Sequence, residues 1–533
     1  MNAASKQQSI EDALLKSKKF RLFGLNADDI IKHFFAGNAT IAIVVLALIT
    51  VFLFREGIEF FPKHYESLRL YRWAGMEFVD YLKHESTDLS ALNRMTNLMK
   101  RQESEVLRMK GLSQAQIAER LAPLDAFAAK FSEVPDGLNG LVADLTEIPV
   151  GILDRHKMCV NAQSHKTLLI RMGKIAEANA VKVDVIDFGK ETAILKTFLP
   201  QCTEIHAKIK QDIVGLMSAI PDFESAEARA TSLLFKKLAL KFTDGIPVTE
   251  KKMAEWNPGE PIHFYRALTD FIFGSRWVTQ SFWYDFYGVV PLFVGSFMIS
   301  LLAMILAVPF GVGAAIYVNQ MASKCEQNMI KPYIEFISAI PSVVLGFFGI
   351  AILGESVRWL TQQSCLSWVP FFPISERLNI FTAGCLLALM AVPTIFSLAE
   401  DAINNVPKAY KEASLALGAN KLQTVVRIIV PTALSGIVAA VLLGFGRVIG
   451  ETMVVLLVAG NRISIPDFTA GIGVFFQPAH TMTGLIAQEM GEVVRGSLQY
   501  RALFMVGILL FFISLFINYM AQKIVTKYRI SAG

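Results

Sequence analysis

Arg447, Glu451 and Thr452 lie in the run GFGRVIGETMVVLLVAGN (residues 444–461), which is otherwise built almost entirely from glycine and aliphatic side chains. A guanidinium and a carboxylate in so apolar a stretch are costly, and such groups face a partner or a water-filled path. Four residues apart, Arg447 and Glu451 share one face if the run is helical. Two chemistries fit. Arg447 could offer a cationic, multidentate handle to a passing anion, with Glu451 holding it when the anion is absent and Thr452 adding a hydroxyl. Alternatively, the two charges form a fixed pair that sets helix register. Gly446 and Gly450, with Ala440 and Gly444, supply small residues that permit close helix packing.

The second informative stretch, EASLALGANKLQTVVRIIVP (412–431), is a small polar segment between two long apolar ones. Glu412, Ala413 and Ser414 begin it as a helix. Gly418 can end that helix, and Pro431 can open the next at its first turn. A short helix held between two apolar segments is a place where another protein can push. The other reading is an amphipathic helix on a membrane surface, with Lys408, Lys411 and Lys421 near anionic lipid.

The elements that must hold these residues follow from composition. The chain has 533 residues, 53% of them hydrophobic and 18% charged, with a mean hydropathy of +0.44. This is the composition of an integral membrane protein, since each span needs about 20 mostly apolar residues. Six spans are predicted: Ala36–Phe54, Val289–Val318, Tyr333–Leu353, Ile380–Leu398, Ala433–Ala459 and Ala502–Ile524. Pro341, Gly346, Gly349 and Pro393 fall inside them, as Pro and Gly do in membrane helices.

Lys16, Lys18, Lys19, Arg21 and Lys32 precede the first span, which places the N-terminus in the cytoplasm by the positive-inside rule. Alternation then puts Lys324 and Lys331, the 400–431 loop, and Lys523, Lys527 and Arg529 on the same side. The first apolar run is too long for a signal peptide and lacks a small-x-small cleavage pattern, so it reads as an uncleaved anchor. The net charge of +5 calls for no nucleic-acid partner.

Residues 57–286 carry most of the charge and contain no span-length apolar run. Segments such as Leu92–Met109 and Leu233–Phe242 have helical spacing, which predicts a mainly helical domain outside the membrane. Cys159 and Cys202 both lie in it and could pair; two free thiols are the alternative. No G-x-x-x-x-G-K-[ST] loop occurs, because Gly173-Lys174 is followed by Ile and Gly189-Lys190 by Glu. No G-x-S-x-G, H-E-x-x-H or zinc-type Cys/His spacing occurs either. The sequence thus predicts no ATP site, no metal, no cofactor and no enzymatic activity in the chain itself.

Glu412, Ala413, Ser414, Gly418, Ile428, Val430 and Pro431 match E-A-[AS]-x(3)-G-x(9)-I-x-[LV]-P, and the chain resembles the ABC importer permeases that carry this cytoplasmic signature. ISAIPSVVLGFFGI (337–350), VVPLFVGSFMISLLAMILAVPFGVGAAIYV (289–318) and the 444–461 run resemble the phosphate-importer branch, in particular PstC-type subunits. The resemblance covers about 270–525 and leaves 57–270 as an insertion.

The resemblance implies an all-α membrane protein with about six spans of the type I ABC importer permease fold. Its parts would be a cytoplasmic segment (1–35), an anchor (36–56), an extracytoplasmic helical insertion (57–286), the permease domain (287–525, coupling loop 400–431) and a cytoplasmic tail (526–533). Glu412, Ala413, Ser414 and Gly418 would dock a homodimeric ABC ATPase. Arg447, Glu451 and Thr452 would line the translocation pathway. The further partners implied are a PstA-like sister permease, an extracytoplasmic phosphate-binding protein and the bilayer. Inorganic phosphate would be the cargo, with sulfate or molybdate as alternatives. A membrane receptor would instead need a signalling module, and only a few residues follow the sixth span.

Overall fold

The computed structural model describes residues 21–22, 25–279, 281, 283–363, 365, 369, 372–374 and 376–528. Of the basic residues weighed for topology, Lys16, Lys18, Lys19 and Arg529 lie outside these. The chain forms two compact units. One comprises Met1–Phe61, Asp270–Trp277 and Phe286–Gly533, and the other Pro62–Thr269 and Val278–Asp285.

Helix α1 (Ala27–Ile58) contains the expected first span and leaves Phe34, Ile41, Ile43 and Val51 exposed. Apolar side chains exposed along a span face lipid rather than protein.

The second unit is a helical bundle. Its longer helices are α2 (Phe60–Trp73, which enters the unit at Pro62), α3 (Met76–Met109), α4 (Gln114–Glu133), α5 (Asp136–Arg171), α6 (Leu199–Ser218) and α7 (Ala226–Glu255). Helix α3 is central and packs against α4, α5 and α7. Residues at helical spacing on α3 (Phe78, Leu82, Leu89, Leu92, Met99) meet Phe127, Phe131, Leu138, Leu145, Ile209 and Phe235 in one apolar core. Each such buried side chain stabilises the bundle by about 1.5–3 kcal/mol. The Phe131 and Phe235 rings meet edge to face at 5.2 Å.

Several buried polar groups in this unit are paired. Arg72 Nε donates to Glu77 at 2.6 Å. Glu103 accepts from the backbone N–H groups of Glu224 and Ser225 at 2.9 and 3.0 Å, which satisfies donors at the start of α7. His206 lies between Glu85 and Glu250, 2.8 and 3.0 Å from its two ring nitrogens. The possible Cys159–Cys202 disulfide is not formed, and both are free thiols. Cys202 is buried on the inward face of α6, and burial pushes its thiol up to about 11.

The first unit continues with α8 (Val290–Gln320), α9 (Lys324–Ala339), α10 (Ser342–Phe348), α11 (Gly354–Thr361), α12 (Ile380–Asn404), α13 (Lys408–Ala416), α14 (Lys421–Thr424), α15 (Val430–Ile449), α16 (Met453–Val458), α17 (Met482–Glu489) and α18 (Leu498–Tyr528). Helix α8 packs along α12, α12 against α15, α15 against α18, and α1 against α18. Ile299, Ala303 and Ala307 of α8 interlock with Ala383, Leu387 and Ala391 of α12. Small residues let these backbones approach, and van der Waals contact then holds helices that lipid would otherwise solvate equally well.

Among the described residues six stretches are long and apolar enough to span a membrane: Lys32–Trp73, Val290–Gln320, Ser342–Thr361, Ile380–Asn404, Lys421–Ile449 and Leu498–Lys527. Three differ materially from expectation. The first runs on to Trp73 rather than ending at Phe54. The third begins at Ser342, not Tyr333. Pro341 has no N–H to donate and forces Ile340 into an extended conformation (ψ 124°), so α9 ends there and is a separate helix. Downstream, a π turn at Gly349–Leu353 joins α10 to α11.

The fifth span begins at Lys421 rather than Ala433 and ends at Ile449 rather than Ala459. Its start is set by a capping box in which Asn420 and Gln423 bond each other's backbone. Pro431 stands in the first turn of α15, as expected, but that helix continues without a break from the segment that starts at Lys421. A π turn at Val425–Ile429 absorbs the proline: Val430 N–H reaches back to Val425 O, and the Thr432 hydroxyl takes Ile428 O at 2.6 Å.

Close approach has a testable consequence at Gly295 of α8. A Cβ there would lie 2.1 Å from the carbonyl oxygen of His480, beside the point where Ser296 Oγ accepts Met482 N–H. Backbone cannot give way as a flexible side chain can. Gly295→Ala is expected to cost about 1–3 kcal/mol, read as a lowered Tm of the detergent-solubilised chain. An unchanged Tm would contradict this contact.

Candidate functional site

The 412–431 stretch folds into a helix, a turn and a second helix start. Asn405 caps α12, Pro407 turns the chain in an extended conformation, and α13 follows with no buried residue. Gly418 has φ +85°, and two backbone bonds close the end of α13: Gly418 N–H to Leu415 O and Ala419 N–H to Ser414 O. This is the Schellman arrangement, and its left-handed residue explains the glycine. Glu412 and Ala413 are exposed, as are Tyr410, Leu415 and Leu422, and Leu417 at the turn is 90% exposed. Apolar side chains so displayed beside a charged one form a surface that a protein partner can cover.

Ser414 differs from its three signature companions. Its hydroxyl lies 2.9 Å from that of Thr424, which is buried, so α13 is bonded to the first turn of the fifth span. The sequence reading treated Ser414 as a small residue only. A hydroxyl ten residues from a second hydroxyl across a glycine turn is the signal that could have revealed the pair.

Arg447 occupies the last turn of α15. Its Nη1 donates to Thr394 Oγ1 on α12 at 2.9 Å. The expected Arg447–Glu451 pairing is not formed, and the shared helix face is not there to form it. Helix α15 stops at Ile449, Gly450 caps it, and Glu451 lies beyond its end. The Glu451 backbone carbonyl accepts from the Thr483 hydroxyl at 2.7 Å, fixing the chain in this non-helical course. Arg447 and Glu451 nonetheless border one small recess with Leu387, Met390, Ala391 and Val448. Thr452 sits at the N-cap of α16 without capping it, and both it and Glu451 are half-buried.

Gly444 keeps the small-residue role expected of it. A Cβ there would meet Ile395 at 2.7 Å, so α15 rests directly on α12 beside the Arg447–Thr394 bond. Sequence reasoning missed Thr394. Its position next to Pro393 in an apolar span was the available signal, because a polar side chain there has few reasons to exist other than a partner.

Residues 307–529 match the family described as binding-protein-dependent transport system inner membrane component. The chain is 34% identical over 242 residues to the probable ABC transporter permease protein YqgH of Bacillus subtilis, covering 44% of this chain and 72% of that one. It is 30% identical over 268 residues to the phosphate transport system permease protein PstC of Pasteurella multocida, covering 46% and 81%. The PstC of Haemophilus influenzae gives 30% over 272 residues, covering 49% and 84%. The family match begins inside α8 and does not include the second unit. The chain therefore belongs to the PstC-type ABC-transporter permeases, multi-pass inner-membrane proteins of the type I permease fold.

Proposed function

We propose that this chain is one permease subunit of an ATP-driven importer that carries inorganic phosphate from an extracytoplasmic binding protein into the cytoplasm by alternating access. The observation that carries the reading is α13 with its Gly418 turn: an exposed helix with no buried residue, bonded through Ser414 to the span whose last turn carries Arg447. Glu412, Ala413 and Gly418 form the face presented to a homodimeric ATPase, since the chain has no phosphate loop of its own. Arg447, with Glu451 and Thr452 beside it, provides the polar lining of one half of the path. A PstA-like sister permease supplies the other half. The two relatives named phosphate transport system permeases support phosphate over other oxyanions.

In this reading both termini and the 400–431 loop face the cytoplasm, and the second unit lies outside. The basic residues Lys324, Lys331, Lys408, Lys411, Lys421, Lys523 and Lys527 support that orientation.

The test is co-expression with an ABC ATPase and binding protein, followed by co-purification and uptake of labelled phosphate in competition with sulfate and molybdate. Leu417→Asp is expected to weaken ATPase retention about thirtyfold, because a carboxylate desolvated without a partner at an interface costs about 2 kcal/mol. Its Tm should not change, since Leu417 makes little contact within the chain. Full retention of the ATPase by Leu417→Asp would sink the docking assignment, and competition by sulfate but not phosphate would reassign the cargo.

A further inference from the structure

A run of polar side chains joins α13 to the ends of two spans, and neither the family signature nor the pathway residues include it. Lys411 Nζ donates to Gln320 Oε1 at 3.0 Å. Gln320 Nε2 donates in turn to Asn319 Oδ1, and Asn319 Nδ2 donates to Asn404 Oδ1. Gln320 is the last residue of α8 and Asn404 the last of α12. The chain of bonds therefore runs from the exposed helix to the C-terminal ends of both spans.

Those two spans form the most extensive helix pair among the described residues. Gly311 of α8 meets Ile395 of α12 at 3.0 Å from its would-be Cβ, and Gly384 of α12 meets Leu302 at 2.8 Å. So close a fit makes α8 and α12 one rigid body. Thr394, which holds Arg447, is ten residues before Asn404, or about 15 Å along α12. Arg447 itself is reached by the other route, from Ser414 to Thr424 and along the continuous segment Lys421–Ile449. Lys411 and Ser414 are three residues apart and share a face of α13. One helix face thus drives two bodies, α8–α12 and α15, and these meet again at the Thr394–Arg447 bond.

We infer that Gln320, Asn319 and Asn404 are positioning residues that convey displacement of α13 to the α8–α12 body, so that the Thr394–Arg447 bond is made or broken by a slide of α12 along α15. The inference rests on the importer reading above. Displacement of α13 moves Lys411 and Ser414 by different amounts when the helix tilts. Through Ser414 alone, α15 moves while α12 stays. Through both links, the two spans move in a fixed ratio, and release of Arg447 to the recess it borders is tied to the state of α13.

The experiment uses the assembled transporter in proteoliposomes with phosphate as the probe, and reads phosphate delivered per ATP hydrolysed alongside ATPase retained on purification. In Gln320→Leu and Asn404→Ala the ATPase is retained at the wild-type ratio and hydrolysis continues, but phosphate per ATP falls about fivefold or more. Gln320→Lys sets a second ammonium against Lys411 and gives the same loss. Adding Lys411→Glu to it restores an attractive pair and returns the ratio to within about twofold of wild type. Wild-type phosphate per ATP in both Gln320→Leu and Asn404→Ala overturns the relay and leaves the importer reading standing. Failure of the wild-type chain to retain an ATPase overturns that reading and the relay with it.

Discussion

Arg447→Ala is expected to reduce phosphate uptake about 10- to 100-fold at matched expression, the effect of losing a charged hydrogen-bond donor set from the path. The guanidinium ends α15, has one hydroxyl partner in Thr394, and borders a recess with Glu451. Because its hydrogen-bond partner is the neutral Thr394 hydroxyl, no fixed ion pair among the described residues cancels its charge. That distinguishes a handle from a structural bridge. Arg447 is also exposed in the isolated chain, so its removal leaves no buried orphan and assembly should persist. Arg447→Lys should recover part of the activity, since an ammonium keeps the charge but loses the planar fork that binds two oxygens at once. Wild-type uptake by Arg447→Ala at equal membrane levels would sink the assignment. Loss of the protein from the membrane would instead identify Arg447 as a packing residue.

How far the sequence carried the fold depends on the kind of signal. Apolar runs of span length announced six spans because the bilayer imposes that length regardless of partners. Gly418 announced its turn because only glycine takes φ +85° without strain. The errors fell where local chemistry outweighs periodicity. Tyr333 to Leu353 is apolar enough for one span, but Pro341 divides it. Pro431 does stand in the first turn of α15, but the span starts earlier, at the readable capping box of Asn420 and Gln423, and a π turn joins the two. Glu451 seemed to follow Arg447 by one helical turn, yet Gly450 lets the chain leave the helix and Thr483 holds it out. Thr394 with Arg447, Gln320 with Lys411 and Glu85 with His206 join residues far apart in sequence. No pattern within one segment encodes such a pair, because it exists only once two elements have packed.

The second large effect is expected in the helical unit, at His206. The ring is 1% exposed and lies between Glu85, itself 7% exposed, and the more accessible Glu250. An ionised carboxylate only accepts, so two such neighbours require both ring nitrogens to donate, which is the imidazolium form. Burial alone would lower the histidine, but the hydrogen bonds and charges of Glu85 and Glu250 outweigh it and hold the group above its ordinary value of 6.5. His206→Leu leaves Glu85 buried without its partner and should cost about 3–5 kcal/mol. The sign of the pH dependence follows from linkage. A folded-state value above the unfolded one means that the stabilisation is complete below about pH 6.5 and is lost as the pH rises through the folded value. The double variant Glu85→Gln/His206→Leu removes the His206 titration together with the buried carboxylate it pairs, so its stability deficit relative to wild type should shrink between about pH 6.5 and pH 9. Hydrogen exchange of α3 amides in the full detergent-solubilised chain reads this locally, because Glu85 sits on that helix. A deficit that grows with pH over this window would show that His206 is held neutral.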